Sequence, residues 1–283
     1  MGVVSPFATD LARVALGLGL PTAITWHCLM ERSQPLFRAL GHARRWGERG
    51  AALSAVSGVA AASVQTVVGR GARAPEVRVF PNGIDAGLWE PPEDRPVRGP
   101  GDPVRVVAAM RLARRKRPSA VLAVAAQARA LVPPEVPMRL ELFGEGPERS
   151  RLERFVEQHA MGDWVSLPGR VARDELRRRY WDSDVYLTPA RLEAFGIAAL
   201  EARTAGLPVL ARTDTGVGDF VADGVNGVLG ADDDALAASL AQLVTDAPLR
   251  HRIAHENATV PPPQTWPAVV ALAEAEYRRA GAV

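Results

Sequence analysis

The chain has 283 residues, enough for two packed domains, and its 47% apolar and 23% charged residues exclude an intrinsically disordered chain. A net charge of +2 is too small to mark a nucleic-acid binder, and the pI near 9.1 partly reflects arginine standing in for lysine. Of 34 basic residues 33 are arginine, and the single lysine is Lys116.

The N-terminal stretch MGVVSPFATDLAR lacks a basic n-region, and Asp10 and Arg13 interrupt its apolar run, so no signal peptide is expected. LPTAITWH (20–27) reads as a strand. The one cysteine, Cys28, permits no internal disulfide and suits a reducing compartment, here the cytoplasm. RALGHARRWGERG (38–50) clusters Arg38, His42, Arg44, Arg45, Trp46 and Arg49. A basic segment with a tryptophan can sit on an anionic membrane, here the inner membrane surface, and the same composition suits a solvated loop or helix. The longest uncharged run, residues 51–69, approaches the length of a membrane span, but Ser, Gly, Gln and Thr dilute it. It reads as a buried strand followed by a small-residue helix. VRVFPNGID is a strand running into a turn at Asn82-Gly83. EPPEDRPVRGPGDP (90–103), rich in Pro, Gly and charge, connects two domains.

Beyond it the chain alternates. VRVVAAM (104–110), MRLELFG (138–144), WVSLPG, DVYLTPA, LPVLA and GVNGVLG read as short strands. PSAVLAVAAQARALV, PERSRLERFVEQHA (Pro147 in its first turn), RDELRRRYW and AFGIAALEARTAG read as helices, with two more over 232–257. That rhythm predicts an α/β fold of βαβ units with a parallel sheet covered on both faces. The same alternation precedes the connection, but with too little chain for a full domain. PPP (261–263) breaks the last helix, and QTWPAVVALAEAEYRRA (264–280) repeats Trp266, Val269, Val270, Ala273 and Tyr277 at helical spacing. It predicts a helix that returns to the N-terminal half through that face. Three domain segments result: 1–95, 104–260 and a C-terminal 264–283 crossing back.

In an open parallel sheet, ligands bind outside the carboxyl ends of the strands. Arg111 and Lys116 lie just past strand 104–110, Gly144-Glu145-Gly146 past the next, Ala190 to Gly196 past DVYLTPA, and Thr213 to Gly218, with Thr215 and Gly216, past LPVLA. The helix opening at Phe195-Gly196-Ile197 offers backbone N–H groups and a partial positive charge, a phosphate seat, and Gly196 allows close approach. Glu201, one turn further, suits the hydroxyls of a ribose. The predicted ligand is a nucleoside diphosphate.

The run FPNGID…MRLARRKRP…LFGEGPE…VYLTPARLEAFGIAALEARTAGLPVLA…DGVNGVL resembles a family 4 retaining glycosyltransferase of the GT-B fold. The strongest element is Glu193-Ala194-Phe195-Gly196 with Glu201 and Ala202, similar to that family's two-glutamate motif with seven residues between the glutamates. The resemblance implies two Rossmann-like doubly wound domains and transfer of a hexosyl unit from a nucleotide diphosphosugar to a hydroxyl of a glycan, lipid or small molecule. No metal, cofactor or nucleic acid is implied. Arg111 and Lys116 would neutralise the donor diphosphate, backbone at Phe195, Gly196 and Ile197 would contact it, Glu201 would hold the ribose, and Glu193 would face the sugar. ITWHC resembles the segment whose histidine, His27 here, contacts the transferred sugar. Three departures stand out. Met110 and Thr215 occupy positions where the family usually has glycine, and the family's first strand and glycine-rich loop have no counterpart before Met1. The N-terminal domain is therefore expected to be incomplete, and the alternative function is a non-catalytic nucleotide-sugar-binding remnant.

Blander readings compete. RLARRKRP also suits a surface patch, and a lone histidine such as His27 also suits a packed core. A glycosidase pair at Glu193 and Glu201 is rejected, because Glu201 lies inside the phosphate-holding helix. Asp182-Ser183-Asp184 reads as a helix end and strand start, not a metal site.

Overall fold

The computed structural model describes residues 6–30, 34–92, 99 and 101–282. Half of the expected connection at 90–103 (93–98 and 100) lies outside the described residues, as do the first five residues of the N-terminal stretch. The chain divides into two compact units, one of Met1–Ile84, Glu193–Phe195 and Pro263–Val283, the other of Asp85–Leu192 and Gly196–Pro262.

The first unit opens with α1 (Pro6–Gly17), an element the sequence did not reveal. Asp10 and Arg13, read as an interruption, form an i,i+3 ion pair at 3.2 Å that supports the helix. Strand β1 (Ala23–Trp26) follows, then α2 (Gln34–Leu40), α3 (His42–Glu48), β2 (Ala52–Ala55), α4 (Gly58–Val68) and β3 (Val77–Val79). The strands pair in parallel in the order β1-β2-β3. β2 is buried along its whole length, as a strand covered on both faces must be. Ser57 caps α4 by accepting from the Ala60 N–H at 3.2 Å. The uncharged run 51–69 is thus a strand and a helix inside this unit.

The membrane expectation for residues 38–50 loses its aromatic anchor here. Trp46 is buried and stacks on His42, with ring centroids 6.0 Å apart. Arg38 donates to the Thr66 carbonyl, Arg45 to that of Leu40, and Arg44 pairs with Glu48. A tryptophan turned into the core cannot insert into a headgroup layer.

The second unit runs α5 (Ala86–Trp89), β4 (Val104–Ala109), α6 (Pro118–Leu131), β5 (Met138–Phe143), α7 (Arg149–Gln158), β6 (Val165–Gly169), α8 (Arg173–Trp181), β7 (Val185–Thr188), α9 (Ile197–Thr204), β8 (Val209–Arg212), β9 (Gly227–Gly230), α10 (Asp233–Thr245) and α11 (Ala247–Thr259). Its six strands are parallel in the order β6-β5-β4-β7-β8-β9. Apolar strands bury residues such as Val106, Leu140, Val185 and Leu210 against Val121, Val124 and Leu240 of the helices. Asp232 and Asp246 cap α10 and α11 through the Ala235 and Leu249 N–H groups. Pro147, expected in the first turn of its helix, stands in the turn before Glu148, the N-cap of α7.

The chain then re-enters the first unit. Ile84 and Thr265 form a parallel bridge, and α12 (Trp266–Arg279) follows. The Trp266 ring lies so close over Gly83 that a Cβ there would come within 2.8 Å of it. Arg279 donates to the Leu53 and Glu76 carbonyls and pairs with buried Glu276. The expected apolar face contributes less. Of its five residues only Val269 is buried, whereas Trp266, Val270 and Tyr277 are more than half exposed (55%, 53% and 56%). α12 is held by a partly buried ion pair and backbone acceptors more than by a stripe of apolar side chains.

Candidate functional site

The strand order of the second unit reverses between β4 and β7. From β4 the chain steps outward through β5 to β6, and from β7 through β8 to β9. The crevice outside the carboxyl ends at such a switch point is where doubly wound sheets take their ligands. Arg111, exposed, follows β4, and Lys116, half-buried, closes the 3-10 turn Arg114–Lys116. Gly196, with φ of 96°, N-caps α9 on the chain leaving β7, and no side chain caps that helix. Its N–H groups are directed at the rim. Gly144 follows β5; Thr215 and Gly216 follow β8. Eight predicted residues (Arg111, Lys116, Gly144, Gly196, Ile197, Glu201, Thr215 and Gly216) therefore belong to one edge of the second unit or to the first helix turns above it. Glu193, Phe195 and His27 belong to the first unit, where Ser57 Oγ donates to the Ala194 carbonyl at 2.5 Å. His27 is exposed immediately after β1, which removes the packed-core reading for it.

Met110 and Thr215, which stand where the resembled family usually has glycine, are each accommodated by the surrounding backbone. A Cβ on Gly144, whose φ is 133°, would stand 1.8 Å from the Met110 carbonyl oxygen. The missing side chain at Gly144 is required by the neighbouring backbone: Met110 N–H donates to Phe143, and Leu112 N–H to Glu145. Met110 itself packs against the core of the unit. Thr215 is buried and its hydroxyl donates to the Arg212 carbonyl at 2.9 Å, so its side chain is committed to the fold.

Glu201 has a side chain 12% exposed and accepts from Arg173 at 3.0 Å. The Arg173 guanidinium lies over the Trp89 ring, which in turn packs at a tilt against Tyr180, with ring centroids 5.5 Å apart. Burial raises the Glu201 carboxyl above its ordinary value, opposed by Arg173. The folded chain thus holds this proton more tightly than the unfolded one, and native stability declines as pH rises through the carboxylate range. Glu201→Gln should therefore raise the Tm at neutral pH, with the gain vanishing in acid, where Glu201 is protonated in both states. A Tm–pH profile of both proteins checks this, and a gain confined to acid pH would contradict it.

The sequence did not reveal a third cluster. Arg117 grips Asp233 with both terminal nitrogens and donates to the Pro189 carbonyl, while Arg212, its side chain 8% exposed, lies 3.6 Å from Asp233. The Arg117 hydrogen bond, with help from Arg212 and Arg191, holds the Asp233 carboxyl below its usual range. Asp182 and Asp184 fall at the opposite rim, where Asp184 accepts from the Arg105 N–H at 2.7 Å. Among the described residues no group of three or more His, Cys, Asp or Glu converges to hold a metal. Nor is any helix long and apolar enough to cross a membrane.

Residues 91–259 match the model of the glycosyl transferases group 1 family. The chain belongs to that family. It is 30% identical over 199 residues to the colanic acid biosynthesis glycosyltransferase WcaL of Escherichia coli K12, covering 64% of this chain and 47% of that protein. It is 28% identical over 280 residues to the D-inositol 3-phosphate glycosyltransferase of Paenarthrobacter aurescens TC1, covering 93% and 68%. The chain spans about half the length of the first of these relatives. The crystal structure of Anabaena HepE in complex with UDP and glucose superposes with a TM-score of 0.76 at 20% identity, over 99% of this chain and 76% of that one. The fold of this group 1 glycosyltransferase chain is accordingly the α/β GT-B type, built from two Rossmann-like units.

Proposed function

We propose that the chain transfers a hexosyl unit from a nucleotide diphosphosugar to a hydroxyl acceptor with retention of configuration. The observation that carries the reading is the switch point: the only lysine of the chain and an uncapped helix N-terminus leave adjacent strands, β4 and β7. That pairing suits a diphosphate, with Arg111 adding charge and Glu201 accepting from ribose hydroxyls. Glu193 and His27 would contact the sugar, as the resemblance implies, and the UDP-bound neighbour supports a nucleotide donor.

The chemistry is largely electrostatic. The bond between the anomeric carbon and the diphosphate oxygen breaks, and its electron pair leaves on the diphosphate. Lys116, Arg111 and the first N–H groups of α9 stabilise that charge. The acceptor oxygen bonds to the carbon on the face the diphosphate leaves, and its proton passes to the departing phosphate oxygen. No covalent enzyme intermediate is required.

Incubation with labelled nucleotide sugars, scored for free nucleotide and for glycosylated product of known anomer, tests the reading. Product of inverted configuration would overturn it, and binding without turnover would favour the non-catalytic remnant. Glu201→Ala should weaken a nucleoside diphosphate by about tenfold and leave inorganic pyrophosphate binding unchanged. Equal losses for both would remove the ribose role.

A further inference from the structure

Arg117 sits in the left-handed region, at φ 55° and ψ 49°. A residue with a Cβ is strained there and stays only when its surroundings over-determine it. Arg117 is also the residue directly after Lys116 and the N-cap of α6. Its backbone angles therefore set where the turn carrying the lysine points relative to that helix. Pro118, at the first helical position, fixes the far side of the same junction.

The side chain of Arg117 supplies the over-determination. One terminal nitrogen donates to the Pro189 carbonyl at 2.9 Å and to Asp233 Oδ1 at 3.0 Å; the other donates to Asp233 Oδ2 at 2.5 Å. Pro189 is the first residue beyond β7, and Asp233 is the first residue of α10. One guanidinium thus ties the lysine turn to the chain leaving the neighbouring strand and to a third element. A planar fork can make this set of bonds and an ammonium cannot. Arg212, nearly buried, with Nε lacking a hydrogen-bond partner, approaches the same carboxylate from the end of β8. The second guanidinium, shared with Asp214 at 3.7 Å, adds a longer-range attraction that favours the Asp233 carboxylate beside the first.

We propose that Arg117 is a positioning residue for Lys116, locking the turn that carries the lysine to the β7 exit and to α10. A glycine at this position would make the turn without strain, but it would leave the lysine turn free to move. The proposal rests on the reading of Lys116 as a diphosphate contact.

The test uses six proteins: the parent, Arg117→Gly, Lys116→Ala, the double variant of these two, Asp233→Asn and Arg117→Lys. Each is titrated calorimetrically with UDP and with GDP, and its Tm is recorded. Arg117→Gly should lose about tenfold or more in affinity with only a modest fall in Tm, because release of the left-handed backbone strain offsets part of the lost ion pair with Asp233. In the Lys116→Ala background the same change should cost less than about twofold, since Arg117 acts through the lysine. Asp233→Asn, which leaves the turn backbone untouched, should reproduce the loss, and Arg117→Lys should restore little of it. Unchanged affinity in Arg117→Gly and Asp233→Asn overturns the clamp alone, as does a loss that simply adds to that of Lys116→Ala. A parent that binds neither nucleotide removes the diphosphate reading and the clamp together.

Discussion

Lys116→Ala is expected to weaken nucleoside diphosphate binding by about 2–4 kcal/mol, roughly thirty- to several-hundred-fold. The size follows from the setting. Lys116 is half-buried at the end of a 3-10 turn on the rim of the switch point, where a phosphate is only partly screened by water. Arg111, exposed on the same strand exit, keeps part of the attraction and prevents complete loss. Lys116→Arg should fall between parent and alanine, because the charge stays while a broad fork replaces a compact ammonium. Calorimetric titration separates the three. Identical affinities would mean that the lone lysine is an accident of an arginine-rich composition.

The other large effect is on folding. Gly144→Ala should destabilise the chain by about 3–5 kcal/mol and lower its Tm by on the order of ten degrees. Two costs combine. The residue has φ of 133°, which side chains with a Cβ rarely adopt, and the new methyl would stand 1.8 Å from the Met110 carbonyl oxygen. That carbonyl cannot retreat cheaply, because hydrogen bonds on both sides hold the 110–112 and 143–145 backbones together. Thermal unfolding of the variant decides between this account and one in which Gly144, placed by the sequence at the ligand rim, serves nucleotide binding alone. The latter predicts an unchanged Tm with weakened nucleotide binding.

The second unit was legible because each strand is a run of about five apolar residues between helical stretches, buried on both faces by the helices it alternates with. The front of the chain was harder. In α1 the apolar residues Phe7, Leu11 and Val14 do recur at helical spacing, yet all are more than half exposed (76%, 58% and 51%), and an ion pair looked like an interruption. Trp46 misled in the other direction, because its basic neighbours suggested a surface and the ring packs inward. In the site, residues that act from a strand exit or helix start could be named from position alone. Arg117 and Asp233 could not. They lie 116 residues apart, and nothing local ties a basic run before Pro118 to the acidic start of α10. The αL backbone at Arg117 has no sequence signal either, since glycine or asparagine is what usually marks it.

The central claim is that the carboxyl edge at the β4/β7 switch point holds the diphosphate of a nucleotide donor. A crystal structure of the chain with UDP or GDP bound tests it most directly. The account predicts phosphate oxygens within hydrogen-bond reach, roughly 2.7–3.2 Å, of Lys116 Nζ and of a backbone N–H in the first turn of α9. A diphosphate seated instead at the opposite edge of the sheet, in the cavity of about 320 Å³ lined by Arg105, Arg139 and Arg179, would contradict it.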